Sequence, residues 1–297
     1  MTVFSRMLCP VDFSKESGHA LAYAVALGRW SSSAIIGLHV YPLTVFTDVS
    51  GYPSFMPEPP DIEALEASLR AFLAPAEGAG ISVEVLVEGG DPARMIIECA
   101  QTLRADLIVM GTHGASGFER FALGSVAENV LRKAALPVLT VPPTAPSPAD
   151  VPFTRIICAV DFSPSSLAGL RLATSFARDA GTQLTIVHVL EAPPDARAEM
   201  AHPIGIGEHR RERESDARRQ LGALLPTGLA APAETQLRHG KPYVEILAAA
   251  AERRADVIVL GIHARHALDL AILGSTTNQI VRRAACPVVT ARLDAAG

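Results

Sequence analysis

Several residue types are scarce in this 297-residue chain, and their scarcity narrows the classes of protein to which it can belong. The four cysteines, Cys9, Cys99, Cys158 and Cys286, form no C-x-x-C pair, so the sequence signals neither a zinc site nor a redox motif. We expect them to be small buried hydrophobic residues. Aromatic residues make up 5% of a chain that is 49% hydrophobic. The core should therefore consist of Ala, Leu, Val and Ile, which suits parallel strands covered by helices.

Excess positive charge and long apolar runs are also missing. A formal net charge of -5 and a pI near 6.0 give no basic surface for DNA or RNA, so we expect no nucleic-acid partner. The sequence nowhere has eighteen consecutive apolar residues, and the apolar run before Asp12 is too short for a secretory signal. We expect a soluble, cytoplasmic protein with no membrane partner.

The chain carries one sequence pattern twice. MLCPVDFS at 7–14 recurs as IICAVDFS at 156–163, an offset of 149 residues. ADLIVMGTHG at 105–114 recurs as ADVIVLGIHA at 255–264, an offset of 150. This nearly constant spacing predicts two copies of a single domain.

A proline-rich segment, PPTAPSPADVP from Pro142 to Pro152, separates the copies. It can form neither a helix nor a central strand, so we predict an extended linker at 143–152 between domains at 1–142 and 153–297. Within each copy, short apolar runs alternate with helical patterns, which predicts a parallel, doubly wound α/β sheet. In the first copy the predicted strands lie near 5–11, 34–40, 82–87, 105–110 and 137–141, and the helices near 15–30, 61–77, 92–103 and 124–135.

The segment from Gly111 to Ser125, GTHGASGFERFALGS, joins a predicted strand to a predicted helix. Free backbone N–H groups and the helix dipole favour an anion at such a junction, and we take this anion to be a phosphate. Gly111, Gly114 and Gly124 allow positive φ and close backbone approach. Ser125 offers a hydroxyl, but Ser125 to Glu128 also reads S-x-x-E, a capping box that needs no ligand. Both interpretations stand at this point.

The spacing of glycine, two residues, glycine, nine residues and glycine-serine resembles the nucleotide-binding signature of the universal stress protein family, in its ATP-binding subgroup. The resemblance implies a five-stranded parallel sheet of order 3-2-1-4-5 that holds ATP or another adenine nucleotide, with or without Mg²⁺, at the strands' carboxyl ends. The binding residues it implies are Pro10, Val11, Asp12, Val40, Gly111, Gly114, Gly124, Ser125 and Val126 in the first copy, and Asp161, Val189, Gly261, Gly274 and Ser275 in the second.

The resemblance also implies how the domains meet. Paired domains of the family join through their last strands, here LPVLTV (136–141) and CPVVTA (286–291). We therefore expect a pseudo-dimer within the chain, and association of two chains stays open.

Asp12 ends the first predicted strand, and Asp161 ends its counterpart. Ser14 and Ser163 follow two residues later and take the helix-cap role, the second supported by Pro164 at the first helical position. The carboxylates are left near the crevice where ligands of α/β sheets bind. We therefore interpret Asp12 as a ligand-binding residue.

Other polar residues give weaker signals. His39 matches His188 and His113 matches His263, and we favour satisfied loop histidines over catalytic bases because no carboxylate partner is fixed by the sequence. Arg120 either offsets phosphate charge or is an ordinary exposed arginine. The remaining signals are a weak metal spacing at His202 and His209, a charged helix face at 208–220, and a segment at 41–60 that is either a lid or disordered.

The second copy departs from the glycine pattern because Ala264 stands where the first copy has Gly114. If positive φ is required there, alanine costs about 1–2 kcal/mol, or about tenfold in affinity. Asp269 adds negative charge to this loop, which Arg265 and His266 partly offset. We expect the first copy to hold nucleotide better than the second.

These patterns favour a regulatory protein in which ATP shifts the population of loop or domain arrangements. A slow ATPase is the alternative, although the loop lacks the G-K-[ST] of a P-loop and the motif fixes no carboxylate pair near the phosphates. An adenylyl-transferring enzyme is disfavoured because neither GTHG nor GIHA is an HxGH motif.

Overall fold

The computed structural model of the chain describes residues 4–43, 60–114, 123–149, 153–180, 182–191, 206–262 and 273–292. The chain divides into two compact units, Thr2–Pro152 and Phe153–Gly297. The linker at 143–152 and the exact domain limits beside it stay predictions.

The first unit is a parallel sheet with the strand order β3-β2-β1-β4-β5. Its strands are β1 (Arg6–Pro10), β2 (Ala34–Tyr41), β3 (Val83–Gly89), β4 (Leu107–Gly111) and β5 (Val138–Val141). Its described helices are α1 (Lys15–Ser31), α2 (Ile62–Gly78), α3 (Pro92–Thr102) and α4 (Ser125–Lys133).

The second unit repeats this order as β8-β7-β6-β9-β10, again with parallel neighbours. Its strands are β6 (Arg155–Ala159), β7 (Gln183–Leu190), β8 (Glu234–His239), β9 (Val257–Ile262) and β10 (Val288–Arg292). Its described helices are α5 (Pro164–Ala180), α6 (Ile206–Ala223), α7 (Pro242–Glu252) and α8 (Ser275–Arg283). The predicted fold class, two tandem doubly wound α/β domains of order 3-2-1-4-5, is confirmed.

The core lies where the central strands meet the helices. Leu8 and Cys9 of β1 and Ile108 of β4 have no exposed surface, as expected for parallel strands buried on both faces. All four cysteines are free and buried, as predicted, and burial raises the pKa of the Cys9 thiol to about 12. These thiols are packing residues.

The first turns of the helices fix the chain at the carboxyl edge of each sheet. Ser14 caps α1 by accepting from the Ser17 N–H, and Ser163 accepts from the Ser166 N–H at 3.2 Å, so the predicted cap roles are confirmed. The charged run at 208–220 is helical within α6, with most of its side chains exposed from residue 210 onward. Within the described ranges, no helix is long and apolar enough to cross a membrane.

Candidate functional site

The carboxyl ends of β1, β2 and β4 and the start of α4 surround a cavity of about 520 Å³ in the first unit, here named the first cavity. This volume lies within the range of roughly 300–1,000 Å³ that is usual for small-molecule sites. The cavity brings together all nine residues predicted for the first copy: Pro10, Val11, Asp12, Val40, Gly111, Gly114, Gly124, Ser125 and Val126.

The Asp12 carboxylate is oriented by the turn that starts α1. Its Oδ1 accepts hydrogen bonds from the backbone N–H of Ser14 at 3.1 Å and from the Ser14 hydroxyl at 2.5 Å. Phe13, between them, takes a left-handed conformation with φ of 61°, and its ring lies 4.6 Å from that of His39. Strain of this kind is found where a surrounding structure holds a functional residue in place.

The three motif glycines differ from the sequence prediction in one respect. None of Gly111, Gly114 and Gly124 has positive φ, and Gly124 sits at φ -59° and ψ 142°. What Gly114 provides is close approach, because a Cβ there would lie 2.6 Å from Asp12 Oδ2. The equivalent position of the second copy, Ala264, lies outside the described residues, so the penalty predicted for it stays a prediction.

The N-terminus of α4 differs from those of the other described helices of the first unit in its N-cap residue. In the first unit the side chains of Ser14, Asp61 and Asp91 cap α1, α2 and α3, whereas α4 begins after Gly124 with no side-chain cap bond. Of the two interpretations left open for Ser125, the capping box with Ser125 as N-cap is therefore not formed. The Gly124 N–H donates to the Thr112 carbonyl at 2.8 Å, which fixes the turn there and makes Ser125 the first helical residue. The first N–H groups of α4 have no partner within the helix, and groups of this kind bind ligand anions in other proteins.

The histidines are held in different ways. The Nδ1–H of His39 donates to the Val11 carbonyl at 2.8 Å, so His39 is the satisfied histidine that the sequence favoured. His113 lines the first cavity and shares a 2.9 Å hydrogen bond between its Nδ1 and the Thr112 hydroxyl. Its Nε2 is buried and meets no hydrogen-bond partner among the described residues. A ligand oxygen would satisfy this atom, since a buried unpaired nitrogen is costly.

The second unit has a cavity of about 470 Å³ in the equivalent place, here named the second cavity. It is lined by all five residues predicted for the second copy: Asp161, Val189, Gly261, Gly274 and Ser275. The Asp161 Oδ1 accepts from the Ser163 N–H at 3.0 Å, and Phe162 (φ 64°) packs 4.4 Å from His188. Gly261 is packed against the backbone of α5, because a Cβ there would overlap the Ser165 carbonyl oxygen.

Sequence reasoning missed part of the wall of the first cavity. Pro92 and Ile96 come from the first turns of α3, and Met110 precedes the motif on β4. The apolar spacing of α3 was the signal that could have found the first two. Several predicted residues lie outside the described part of the chain: Arg120, His202, His263, Arg265, His266, Asp269 and most of the segment at 41–60. No cluster of three metal-ligating side chains occurs in the described ranges.

Comparison with known proteins shows what the chain is similar to. The model of the universal stress protein family matches it twice, over residues 4–142 and 152–292. Universal stress protein MJ0531 of Methanocaldococcus jannaschii is 33% identical over 141 residues, which are 47% of this chain and 82% of that protein. A putative universal stress protein of Staphylococcus aureus strain USA300 is 32% identical over 152 residues, which are 50% of this chain and 90% of that protein.

A solved structure resembles the full length of the chain. The crystal structure of a universal stress protein from Archaeoglobus fulgidus covers 97% of this chain and 98% of its own, at 27% identity and a TM-score of 0.68.

Proposed function

Because the chain belongs to the universal stress protein family in both halves, we propose that it is a cytoplasmic stress-response protein that binds ATP or another adenine nucleotide, mainly in its first copy. The proposal depends on one observation. Nine residues chosen from the sequence, on three strand ends, a loop and a helix start, line one cavity of about 520 Å³.

The first cavity has two chemically different parts. Apolar side chains of Pro10, Leu38, Val40 and Ile96 line it and suit a purine ring. The start of α4, with the Ser125 hydroxyl and the buried Nε2 of His113, offers hydrogen bonds to phosphate oxygens. A ligand with an apolar ring and an anionic tail fits both parts.

The charged residues that line the first cavity indicate whether Mg²⁺ binds together with the nucleotide. Its described lining residues include the Asp12 carboxylate and no lysine or arginine. Mg²⁺ bound with the nucleotide would supply the positive charge that a polyphosphate needs in such a place. We therefore propose magnesium-ATP, rather than free ATP, as the ligand.

We further propose that the nucleotide acts as a switch. Asp12 is the single carboxylate among the described lining residues of the first cavity, and hydrolysis needs a positioned water in addition to the metal. A slow ATPase is the alternative. Phosphate release faster than about 1 per second from pure protein would favour that alternative.

The test uses Gly124→Asp, which places a carboxylate at the phosphate position. Asp is a good N-cap residue and the backbone angles of Gly124 suit any residue, so the variant should fold at least as well as the parent. Calorimetry with magnesium-ATP should show binding to the parent protein. The variant should bind at least tenfold more weakly, because the new carboxylate repels phosphate and occupies the helix N–H groups.

Two variants serve as controls. Gly124→Ala adds only a methyl group, 3.3 Å from the Thr112 carbonyl oxygen, and should keep most of the affinity. Gly274→Asp makes the same charge change in the second cavity, where a Cβ meets nothing within 4 Å, and should leave this binding event in place. Absence of heat with magnesium-ATP, or equal affinity in Gly124→Asp, would contradict the proposal. Chromatography of small molecules released by denaturing the protein would identify the nucleotide.

A further inference from the structure

The residues that follow β5 are packed on the first unit. Residues 142–149, PPTAPSPA, are here named the strap, and they belong to the compact unit Thr2–Pro152. Pro142 and Ala145 of the strap are buried, and the Ala145 N–H donates to the Pro142 carbonyl at 3.0 Å, which closes a turn. A flexible linker would leave such side chains in water. The strap is therefore a docked part of the first unit.

Tyr23 of α1 holds the strap in place. Its hydroxyl donates to the Pro146 carbonyl at 2.7 Å, and only 2% of the residue is exposed. A buried tyrosine needs a partner for its hydroxyl, and here the strap supplies one. Leu172 stands at this position in the second copy, within the matching helix α5. The fold of the domain does not require the tyrosine, so its hydroxyl serves the strap.

The first end of the strap is tied to the wall of the first cavity. The Val141 carbonyl, directly before the strap, accepts from the Thr112 N–H at 3.1 Å. Thr112 lines the first cavity, and its hydroxyl shares a hydrogen bond of 2.9 Å with His113 Nδ1. The same histidine presents the buried Nε2 that a ligand oxygen would satisfy. A ligand that fixes His113 therefore fixes the point from which the strap leaves β5.

The second support of the strap, helix α1, also reaches the first cavity. Ser17 lines this cavity, and the Ser17 N–H donates to the Ser14 hydroxyl oxygen at 3.1 Å. That hydroxyl in turn donates to Asp12 Oδ1 at 2.5 Å. Tyr23 follows Ser17 by six residues, about 9 Å along the helix axis. One helix, which packs on β4 and β5, thus connects Asp12 to the tyrosine that holds the strap.

We propose that the strap is the element that nucleotide binding in the first cavity switches. An occupied cavity fixes both supports and keeps the strap docked on α1, and an empty cavity leaves it free to detach. Four of its eight residues are prolines, which lack an N–H, so docking depends on few hydrogen bonds and its local stability is low. Because the strap precedes β6 in the chain, its detachment adds its length to the connection between the two units. The inference rests on the function proposed above and specifies the regulation of that site.

The test follows the exchange of the Ala145 N–H with deuterium by NMR in the full chain. Magnesium-ATP, at a concentration that saturates only the parent, should slow this exchange about threefold or more in the parent and leave it unchanged in Gly124→Asp. Tyr23→Phe removes only the hydroxyl, so exchange without ligand should be about fivefold faster, the loss expected for one neutral hydrogen bond. Tyr23→Leu installs the residue of the second copy and should act in the same direction. Ser147→Ala, at an exposed position of the strap, should change nothing.

Two results would overturn this inference alone. One is magnesium-ATP that binds the parent in calorimetry without slowing the Ala145 exchange, and the other is an exchange rate in Tyr23→Phe equal to that of the parent. Absence of heat with magnesium-ATP would overturn the proposed function and the coupling together. In that case the effect of Tyr23→Phe on the ligand-free chain would still decide whether α1 holds the strap.

Discussion

Asp12 supplies the carboxylate that lines the first cavity. One of its carboxylate oxygens is held by the start of α1, and the other faces the position where a Gly114 side chain would be. The carboxylate is therefore ordered before any ligand arrives, which lowers the entropy that binding must overcome. Gly114 is required because of this carboxylate.

Gly114→Ala tests that dependence. The new Cβ, 2.6 Å from Asp12 Oδ2, should displace the carboxylate and weaken magnesium-ATP binding about tenfold in calorimetry. In an Asp12→Ala background the same substitution should have little further effect, because the clash is gone. Additive losses in this double-mutant cycle would show that the two residues act separately.

At the residue scale, the sequence predicted much of the site, but not the physical reason why each residue type stands there. Repeat and motif spacing located Asp12, Gly114 and Gly124. These spacings could not reveal that Gly114 lies close to the carboxylate of Asp12, which is distant in sequence. Sequence rules associate a glycine first with positive φ, not with close approach to a particular side chain. Arg292, which lines the second cavity, was not predicted because no motif contains it, although alignment of the two copies places it opposite Pro142.

At the scale of the elements, the entry into β6 is fixed by Asp256. Its carboxylate accepts hydrogen bonds from the Thr154 N–H at 2.9 Å and hydroxyl at 2.6 Å, and from the N–H and guanidinium of Arg155, both at 2.9 Å. Burial alone would raise the pKa of Asp256, but these hydrogen bonds outweigh it and hold the pKa below its usual value. The ionised form is thus tied to the folded state.

This predicts a pH dependence of stability. Because the folded-state pKa is lowered, the stabilisation by Asp256 is full above the unfolded value of about 3.9 and is lost as the pH falls through the folded-state pKa. Asp256→Asn should lower the free energy of unfolding by about 1–3 kcal/mol at pH 7 and flatten its decline below about pH 4. Urea denaturation of the full chain across this pH range measures both effects. Equal acid slopes in the parent and Asp256→Asn would contradict the assignment.

The strands and helices themselves were largely predictable, because the periodic spacing of apolar residues distinguishes a strand from a helix. The N-cap of α4 was not, although the helix was predicted from residue 124 and begins at Ser125. Ser125 and Glu128 fit a capping box in sequence, but the hydrogen bond from Gly124 to Thr112, which closes a loop, moves the cap to Gly124. Local rules could not include a partner on the far side of that loop.

At the scale of the whole molecule, the chain forms two compact units, each with its own core. We therefore expect the fragment of residues 153–297 to fold alone, with a cooperative thermal transition by circular dichroism. The family resemblance implies that domains pair through their last strands. We therefore expect this fragment to self-associate through its last strand, CPVVTA. A folded fragment that stays monomeric in sedimentation would contradict that pairing, and an unfolded one would contradict the autonomy of the unit.

The tight packing of Gly261 against the backbone of α5 has an evolutionary consequence. At Gly261 the wall of the second cavity consists of backbone packed against backbone. No side chain lies between the two segments that could be enlarged or shortened. Natural variation can therefore reshape this cavity only where side chains line it, at places such as Thr276, Glu191 and Arg292. A mutagenesis library aimed at new ligands for this half of the chain should draw its diversity from those positions and leave the base untouched.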